Sequence, residues 1–474
     1  MFTTEGIQFL TYSDFFLLPA YFGLILIIAL LARNATLRGS PLRKYFLPGL
    51  LVKLIGGLGV MLVYGFYYKS GDTFYYYRDS QTFNFSLREG FDLYFTLLRL
   101  PAGIITPATY DYTRWLAFFH EPSGWMADKV YGIISIFSFH SYPIMSIVIS
   151  ALAFTGVWSL YVTFVDMYPN LYKQFAFCIL FVPSVFFWGS GVLKDSITFG
   201  CLGWVTSSSY NIFFRRRKIF SSILMLVFTG YLALKVKPYI IMSFLPALLF
   251  WTFLSYRSKI QNQFLRVISG PAIVMISVVF GFLLIKQLGD EFSQFSLENV
   301  MTTAQTYQQW HSFLANNDNA SGYSLGNVSG TWQSVLRAFP LAVNVTLFRP
   351  YLWEAHSAIM LLSAMENVFI LGFTLYILWK NGVRRVFRAI RKNPTVFFCF
   401  FFAILFAFCV GFTAYNFGAL VRYKIPCIPF YLVALVILNH ITAEERKKFA
   451  LEKLHRRPVF RLGSKETREL EPVS

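Results

Sequence analysis

The sequence predicts an all-α polytopic membrane protein with about eleven transmembrane helices. Three observations predict it. Of 474 residues, 56% are hydrophobic and only 14% are charged, whereas a soluble domain carries roughly a quarter charged residues. Apolar runs close to the ~20 residues that cross a bilayer recur along the chain. Lys and Arg collect in alternate connectors between those runs, as topology signals do.

These observations exclude several classes. Length alone would suggest two to four soluble domains, but composition overrides that prior. The net charge of +19 does not indicate nucleic acid, because the basic residues sit between apolar segments. Cys178, Cys201, Cys399, Cys409 and Cys427 fall in apolar stretches and form no CxxC, so they read as small buried hydrophobes. The six histidines lack any metal-ligand spacing.

The expected spans are about 14–32, 46–68, 143–165, 174–189, 193–213, 219–234, 238–256, 267–286, 357–379, 395–414 and 425–441. The fourth and sixth are short, as tilted or broken helices would be. Connectors rich in Lys and Arg follow the first, fifth and ninth spans. They place the N-terminus outside and the C-terminus in the cytoplasm, a pattern that suits a bacterial inner membrane. The first 13 residues hold no Lys or Arg, so they are not a signal peptide. Only Asp166 of the 23 acids falls in an inner connector. A transmembrane domain over 1–441 and a charged cytoplasmic tail over 442–474 follow, the tail beginning as a surface helix on anionic lipid. Two large outer loops are expected, at about 69–142 and 287–356. In the first, FSLREGFDLYFTLLRL (85–100) reads as an interfacial amphipathic helix, and 129–142 as a second one. In the other, NNDNASGYSLGNVSG (316–330) has loop composition.

Charges at the edge of a span are costly and therefore mark candidate sites. SGDTFYYYRDS (70–80) follows the second span. A carboxylate at Asp72 there could accept a proton from a sugar hydroxyl, or bind a divalent cation together with Asp79. In VPSVFFWGSGVLKDSITF (182–199), Lys194 and Asp195 open a helix; the acid suits the helix dipole and the lysine needs a partner or an anion. Lys235 and Lys237 lie on the outer side, against the positive-inside trend, where they could snorkel to headgroup phosphate. Arg349 and Glu354 precede the ninth span, and Glu366 lies within it. Arg422 and Lys424 precede the last span. Lys53, in the second span, is expected to snorkel toward the inner side. Cations of this kind suit a lipid-linked phosphate, and no Walker, GxGxxG or Ser-His-Asp signature points to soluble nucleotides.

In these features the chain resembles the GT-C superfamily of membrane glycosyltransferases, which use polyprenyl-phosphate-linked sugars. Asp72 in GDTFYYY corresponds to the acidic motif of their first large outer loop. PSVFFWGSGVLKDS resembles their Pro–aromatic–Ser region before a charged helix start. RYKIPCIPF resembles their Arg-Tyr-x-x-Pro-x-x-Pro helix start, with Arg422, Tyr423, Pro426 and Pro429. The similarity covers roughly 46–440 through short motifs. An extra first helix and the lack of an acidic neighbour beside Asp72 depart from the pattern. The resemblance implies a GT-C-like fold and an inverting transfer from a polyprenyl-phosphate sugar to a glycan, lipid or protein acceptor. It assigns catalysis to Asp72 and Asp79, and donor-phosphate binding to Arg422, Lys424, Lys194, Lys235 and Lys237. Substrate contacts fall to Tyr75, Arg78, Arg349 and Glu354, with Mg or Mn as the candidate cofactor. A lipid-linked polysaccharide polymerase or ligase fits the same loops. A transporter or flippase is the alternative of another class, and an essential Glu366 would mark it.

Overall fold

The computed structural model describes residues 2–4, 6–257, 322–326 and 332–455, with 260–264, 267–273 and single positions at 275, 279 and 306. The chain begins with a feature outside the all-α expectation. Strands β1 (Phe2–Thr4) and β2 (Ile7–Leu10) form an antiparallel hairpin, with Thr4 opposite Ile7. Phe9 on β2 is buried against Phe66 and Phe74.

The first helices follow in order. α1 (Asp14–Thr36) is lipid-like in character, since almost all of its apolar surface faces outward. α2 (Arg43–Leu62) continues through a π-turn at Val63–Tyr68. There follows a layer of shorter helices, α3 (Asp72–Glu89), α4 (Phe91–Arg99), α5 (Tyr110–Thr113) and α6 (Pro122–Ser135). This layer has a small core of its own, in which Phe83 stacks on Trp125 at 5.5 Å among Tyr94, Leu97, Leu100 and Phe119. The stretch 85–100, expected as one interfacial helix, is divided at Gly90 between α3 and α4. The second interfacial helix starts earlier than expected, at Pro122, because a proline is favoured in a helix's first turn.

The bundle resumes with α7 (Tyr142–Met167). The expected fourth span is broken into α8 (Tyr172–Leu180) and α9 (Pro183–Trp188). Pro183 holds Val182 extended (ψ 122°) and opens α9. α10 (Lys194–Tyr210) then runs beside α7. α11 (Ile219–Val236) and α12 (Pro238–Arg257) complete this half. The expected span 267–286 lies largely outside the described residues.

The second half contains α13 (Trp332–Phe348), α14 (Ala358–Asn381), α15 (Val383–Lys392), α16 (Pro394–Thr413), α17 (Phe417–Tyr423) and α18 (Cys427–His455). α13 corrects the expected outer loop 287–356. It packs along α16, where a Cβ on Gly411 would meet the Ala342 oxygen at 2.2 Å and Thr346 Oγ1 donates to the Ala407 oxygen at 2.7 Å. Gln333, Arg337, Pro340 and Asn344 interrupt its apolar pattern and concealed it. α18 also runs through the expected boundary at 441, and Arg446 donates to the Lys380 carbonyl. Of the eleven expected spans, eight are helices long and apolar enough to cross a membrane among the described residues.

Bundle packing relies on close backbone approach, as it does where lipid and protein interior are equally apolar. α7 and α10 meet through Gly156, Gly200 and Gly203. A Cβ on Gly156 would stand 1.9 Å from the Gly200 oxygen, and one on Gly203 2.1 Å from the Gly156 oxygen. Gly156→Leu should therefore separate the two helices and lower the detergent-solubilised melting temperature, at a cost of about 1–3 kcal/mol or more. The exposed Gly372→Leu, with open space around it, should leave that temperature unchanged.

Candidate functional site

Four chain segments converge where α2 ends and α3 begins. The first is the reversal KSGD. Lys69 takes a left-handed conformation (φ 54°) and closes the π-turn. Gly71 has φ 136°, and a Cβ there would lie 2.5 Å from the Tyr64 ring. Only glycine meets both conditions, and so α3 starts directly over Tyr64. Asp72 is the first residue of α3, where the helix dipole favours an acid.

The second segment is the start of α10. The turn at Gly189–Gly191, which follows the α8–α9 break, is buried inside the protein. Irregular backbone at membrane depth is tolerated only there. The break points the N-terminus of α10, with Lys194 and Asp195, at the site. The third is Lys237, between α11 and α12. The fourth is α17, capped by Asn416 Oδ1, which accepts from the Gly418 N–H at 2.7 Å. Its last turn carries Arg422.

Arg422 joins these segments. Its Nη2 and Nη1 donate to Asp72 Oδ2 at 3.0 Å and Oδ1 at 3.3 Å, a bidentate fork. Nη1 also donates to the Tyr64 hydroxyl at 2.8 Å. Nε stands 3.1 Å from Asp195 Oδ2, an ion pair without hydrogen-bond alignment. Lys237 donates to the other Asp195 oxygen at 2.5 Å and lies 4.8 Å over the Tyr423 ring. Two acids and two cations are thus balanced, as buried charges must be. The two carboxylates differ in access. The Asp195 side chain is 2% exposed and that of Asp72 is 28% exposed, so Asp72 is the more accessible of the two. Lys194 stands beside them, bound to Glu121 at 3.0 Å and to Ser123 at 2.8 Å.

Burial alone would push the Asp72 carboxyl up. The charge and hydrogen bonds of Arg422, with Lys194 and Lys237 behind, reverse this and hold it below its ordinary value of 3.8. The sign follows: this pair contributes stability in full above that ordinary value and loses it as pH falls through the lowered one. Asp128 on α6 behaves in the opposite way. It is fully buried and neither oxygen has a hydrogen-bond partner. Burial first, and the charge of Asp79 next, push it well above the usual carboxylate range. The neutral form is thereby favoured, and that is the form in which an unpaired buried carboxyl is tolerated.

Other expected site residues lie elsewhere. Asp79 is two helical turns and roughly 10 Å beyond Asp72. It is buried, paired with Arg78 at 2.8 Å, and accepts the Ala117 N–H at 2.7 Å. Burial nevertheless leaves its carboxyl above the ordinary value, with Arg78 and backbone N–H groups opposing. Asp72 and Asp79 therefore have different partners, Arg422 and Arg78. Among the described residues, no three His, Cys, Asp or Glu side chains converge as a metal set. Lys424 is also outside the cluster. It is fully buried and donates to Asn367 Oδ1, because α14 passes behind the start of α18. Arg349 and Glu354 are paired with each other, and the guanidinium lies 5.1 Å over Phe417 at the start of α17. Tyr75 lies under Arg78, its ring centroid 5.1 Å from the guanidinium carbon. Lys235 is in the last turn of α11, over Tyr231. Lys237, not Lys235, reaches the acids.

Two lysine and glutamate expectations are resolved by the broken helix. Lys53 does not snorkel; it is buried and donates to the Gly189 carbonyl at 2.5 Å. A carbonyl past the end of α9 lacks a helical partner and offers this bond. Glu366 accepts the Ser184 N–H at 2.8 Å and the Ser184 hydroxyl at 2.6 Å, capping α9. Sequence reading missed the part played by Tyr64, since one tyrosine among 28 carries no signal. Asp195 was visible as a helix-opening acid, but not as a partner of Arg422.

No family model matches the chain, and no curated protein or solved structure is significantly similar to it.

Removing one member of the Lys237–Asp195 pair leaves a buried charge short of its partner. Lys237→Met should destabilise the protein by about 3–5 kcal/mol. Adding Asp195→Asn should recover part of that loss. Thermal unfolding of both single variants and the double variant gives the coupling; strict additivity would show that the two groups do not act as a pair.

Proposed function

We propose that the chain is a membrane glycosyltransferase that moves a sugar from a polyprenyl-phosphate-linked donor to an acceptor hydroxyl. The observation that carries this reading is the partly exposed Asp72 carboxylate held by the Arg422 fork at the end of α2. On the topology expected from the basic connectors, this site opens at the outer headgroup level. A donor phosphate presented there meets Arg422, Lys194 and Lys237, and guanidinium matches phosphate bidentately. The short-motif resemblance to GT-C enzymes supports the same reading.

The arrangement suggests how base and leaving group are coupled. At rest Arg422 depresses the basicity of Asp72. A donor phosphate competes for the same guanidinium N–H groups. As Arg422 turns to phosphate, its hold on Asp72 weakens, and burial raises the basicity of the carboxylate. The acceptor hydroxyl then attacks the anomeric carbon and its proton passes to Asp72. The bond from the anomeric carbon to the phosphate oxygen breaks, and the electron pair leaves with the phosphate, whose charge Arg422 and Lys194 stabilise. One displacement inverts the anomeric configuration.

The test is surface-glycan mass spectrometry of a deletion strain complemented with wild type, Asp72→Asn or Arg422→Lys. Asp72→Asn keeps the shape and should lose transfer by about 10²–10⁴-fold. Arg422→Lys keeps the charge but loses the fork, and should raise KM for the donor more than it lowers kcat in a purified assay. Full transfer by Asp72→Asn would overturn the reading. Loss of long chains with single repeats intact would point to a polymerase at the same site.

A further inference from the structure

A cleft of about 650 Å³ opens along a second stripe of α3, within the ~300–1,000 Å³ of small-ligand sites. Arg78, Gln81, Thr82, Phe85 and Arg88 line one wall. Their spacing of three and four residues puts them on one face, turned away from Asp72, with Asp79 at the edge of the cleft. The β1–β2 hairpin supplies Gln8, the segment before α6 supplies Trp115, and the turn before α7 supplies His140.

The walls are held from several sides. Arg78 donates to the Trp115 carbonyl at 3.2 Å, and the Ala117 N–H donates to Asp79 at 2.7 Å. The backbone on both sides of Leu116 is thereby fastened to α3, while the Trp115 ring stays 71% exposed. Phe139 and His140 are successive left-handed residues (φ 48° and 59°), a conformation that non-glycine residues hold only under constraint. Tyr77 supplies that constraint by donating to the His140 carbonyl at 2.5 Å. The imidazole Nδ1 donates to Gln81 Oε1, so Nε2 is the acceptor for Arg88 Nη2 at 3.1 Å. Burial and the Arg88 charge lower the basicity of His140, which keeps this partner neutral. Arg78 is neutralised by Asp79, whereas Arg88 forms no ion pair among the described residues.

We propose that this cleft binds an acidic sugar residue of the acceptor glycan. Exposed aromatic rings at Trp115 and Phe85 suit the apolar face of a pyranose. Gln8 and Gln81 suit its hydroxyls. The uncompensated Arg88, oriented by a neutral His140, suits its carboxylate. The inference rests on the transferase reading, which makes the cleft the acceptor side of a centre at Asp72.

The test is calorimetric titration of the purified full chain with oligosaccharides of glucuronic, galacturonic and N-acetylneuraminic acid, each beside its carboxyl-reduced counterpart. At least one acidic probe should bind at least roughly tenfold more tightly than its reduced form. Arg88→Gln should remove that preference, and Trp115→Ala should weaken both forms. Asp72→Asn should bind as wild type does. Failure of all three acidic probes to bind, or equal binding of acidic and reduced forms, overturns the proposal. Unchanged binding by Arg88→Gln in a folded protein overturns it as well. The two readings fail separately: selective binding with no sugar transfer by the wild-type chain removes the transferase and leaves the cleft, and transfer without selective binding removes the cleft alone.

Discussion

The guanidinium of Arg422 is the interaction on which the rest of the site depends. It lies between Asp72, which opens α3, and Asp195, which opens α10, and it also reaches Tyr64 in the π-turn that ends α2. Lys237 completes the balance from between α11 and α12. A lone charge in this setting would cost several kcal/mol, so each member requires the others in place. Segments remote in sequence are therefore locked at one point on the edge of an apolar bundle.

The same constraint explains why the helices break where they do. Each break frees backbone groups, and each interior polar side chain needs a partner. The protein answers both needs at once. Lys53 takes the Gly189 carbonyl beyond α9, Glu366 takes the Ser184 N–H at its start, and Lys424 takes Asn367 on α14. The break before α10 also points a helix N-terminus and Asp195 inward toward Arg422. A continuous fourth span would have carried that helix start past the site.

α3 connects the charged cluster with the cleft. One face presents Asp72 to the charged cluster and Asp79 to Arg78. The adjacent stripe lines a cleft walled by the hairpin, Trp115 and His140. A helix of 18 residues can serve both because Asp72 and the cleft-lining positions, which follow one another at spacings of three and four, fall on different stripes. A rigid element thus sets the distance between a candidate base and a candidate acceptor surface.

The membrane class, eight helices long and apolar enough to cross a membrane, and the charged positions Asp72, Lys194, Lys237 and Arg422 were legible in the sequence. Those features are local: a run of apolar residues or a charge at its edge can be recognised within a window of about 20 residues. The α8–α9 break was legible only in part, and the hairpin and α13 were not, because short or polar-interrupted segments give weak periodicity. Pairing was not legible at all. Asp72 and Arg422 are 350 residues apart, and nothing in either motif says that Arg422 takes Asp72 and Asp195 while its near neighbour Lys424 turns to Asn367. Composition dictated which residues would be costly to bury; only the packing of the helices decided which opposite charge would lie within 3 Å of each, since that distance depends on the whole bundle.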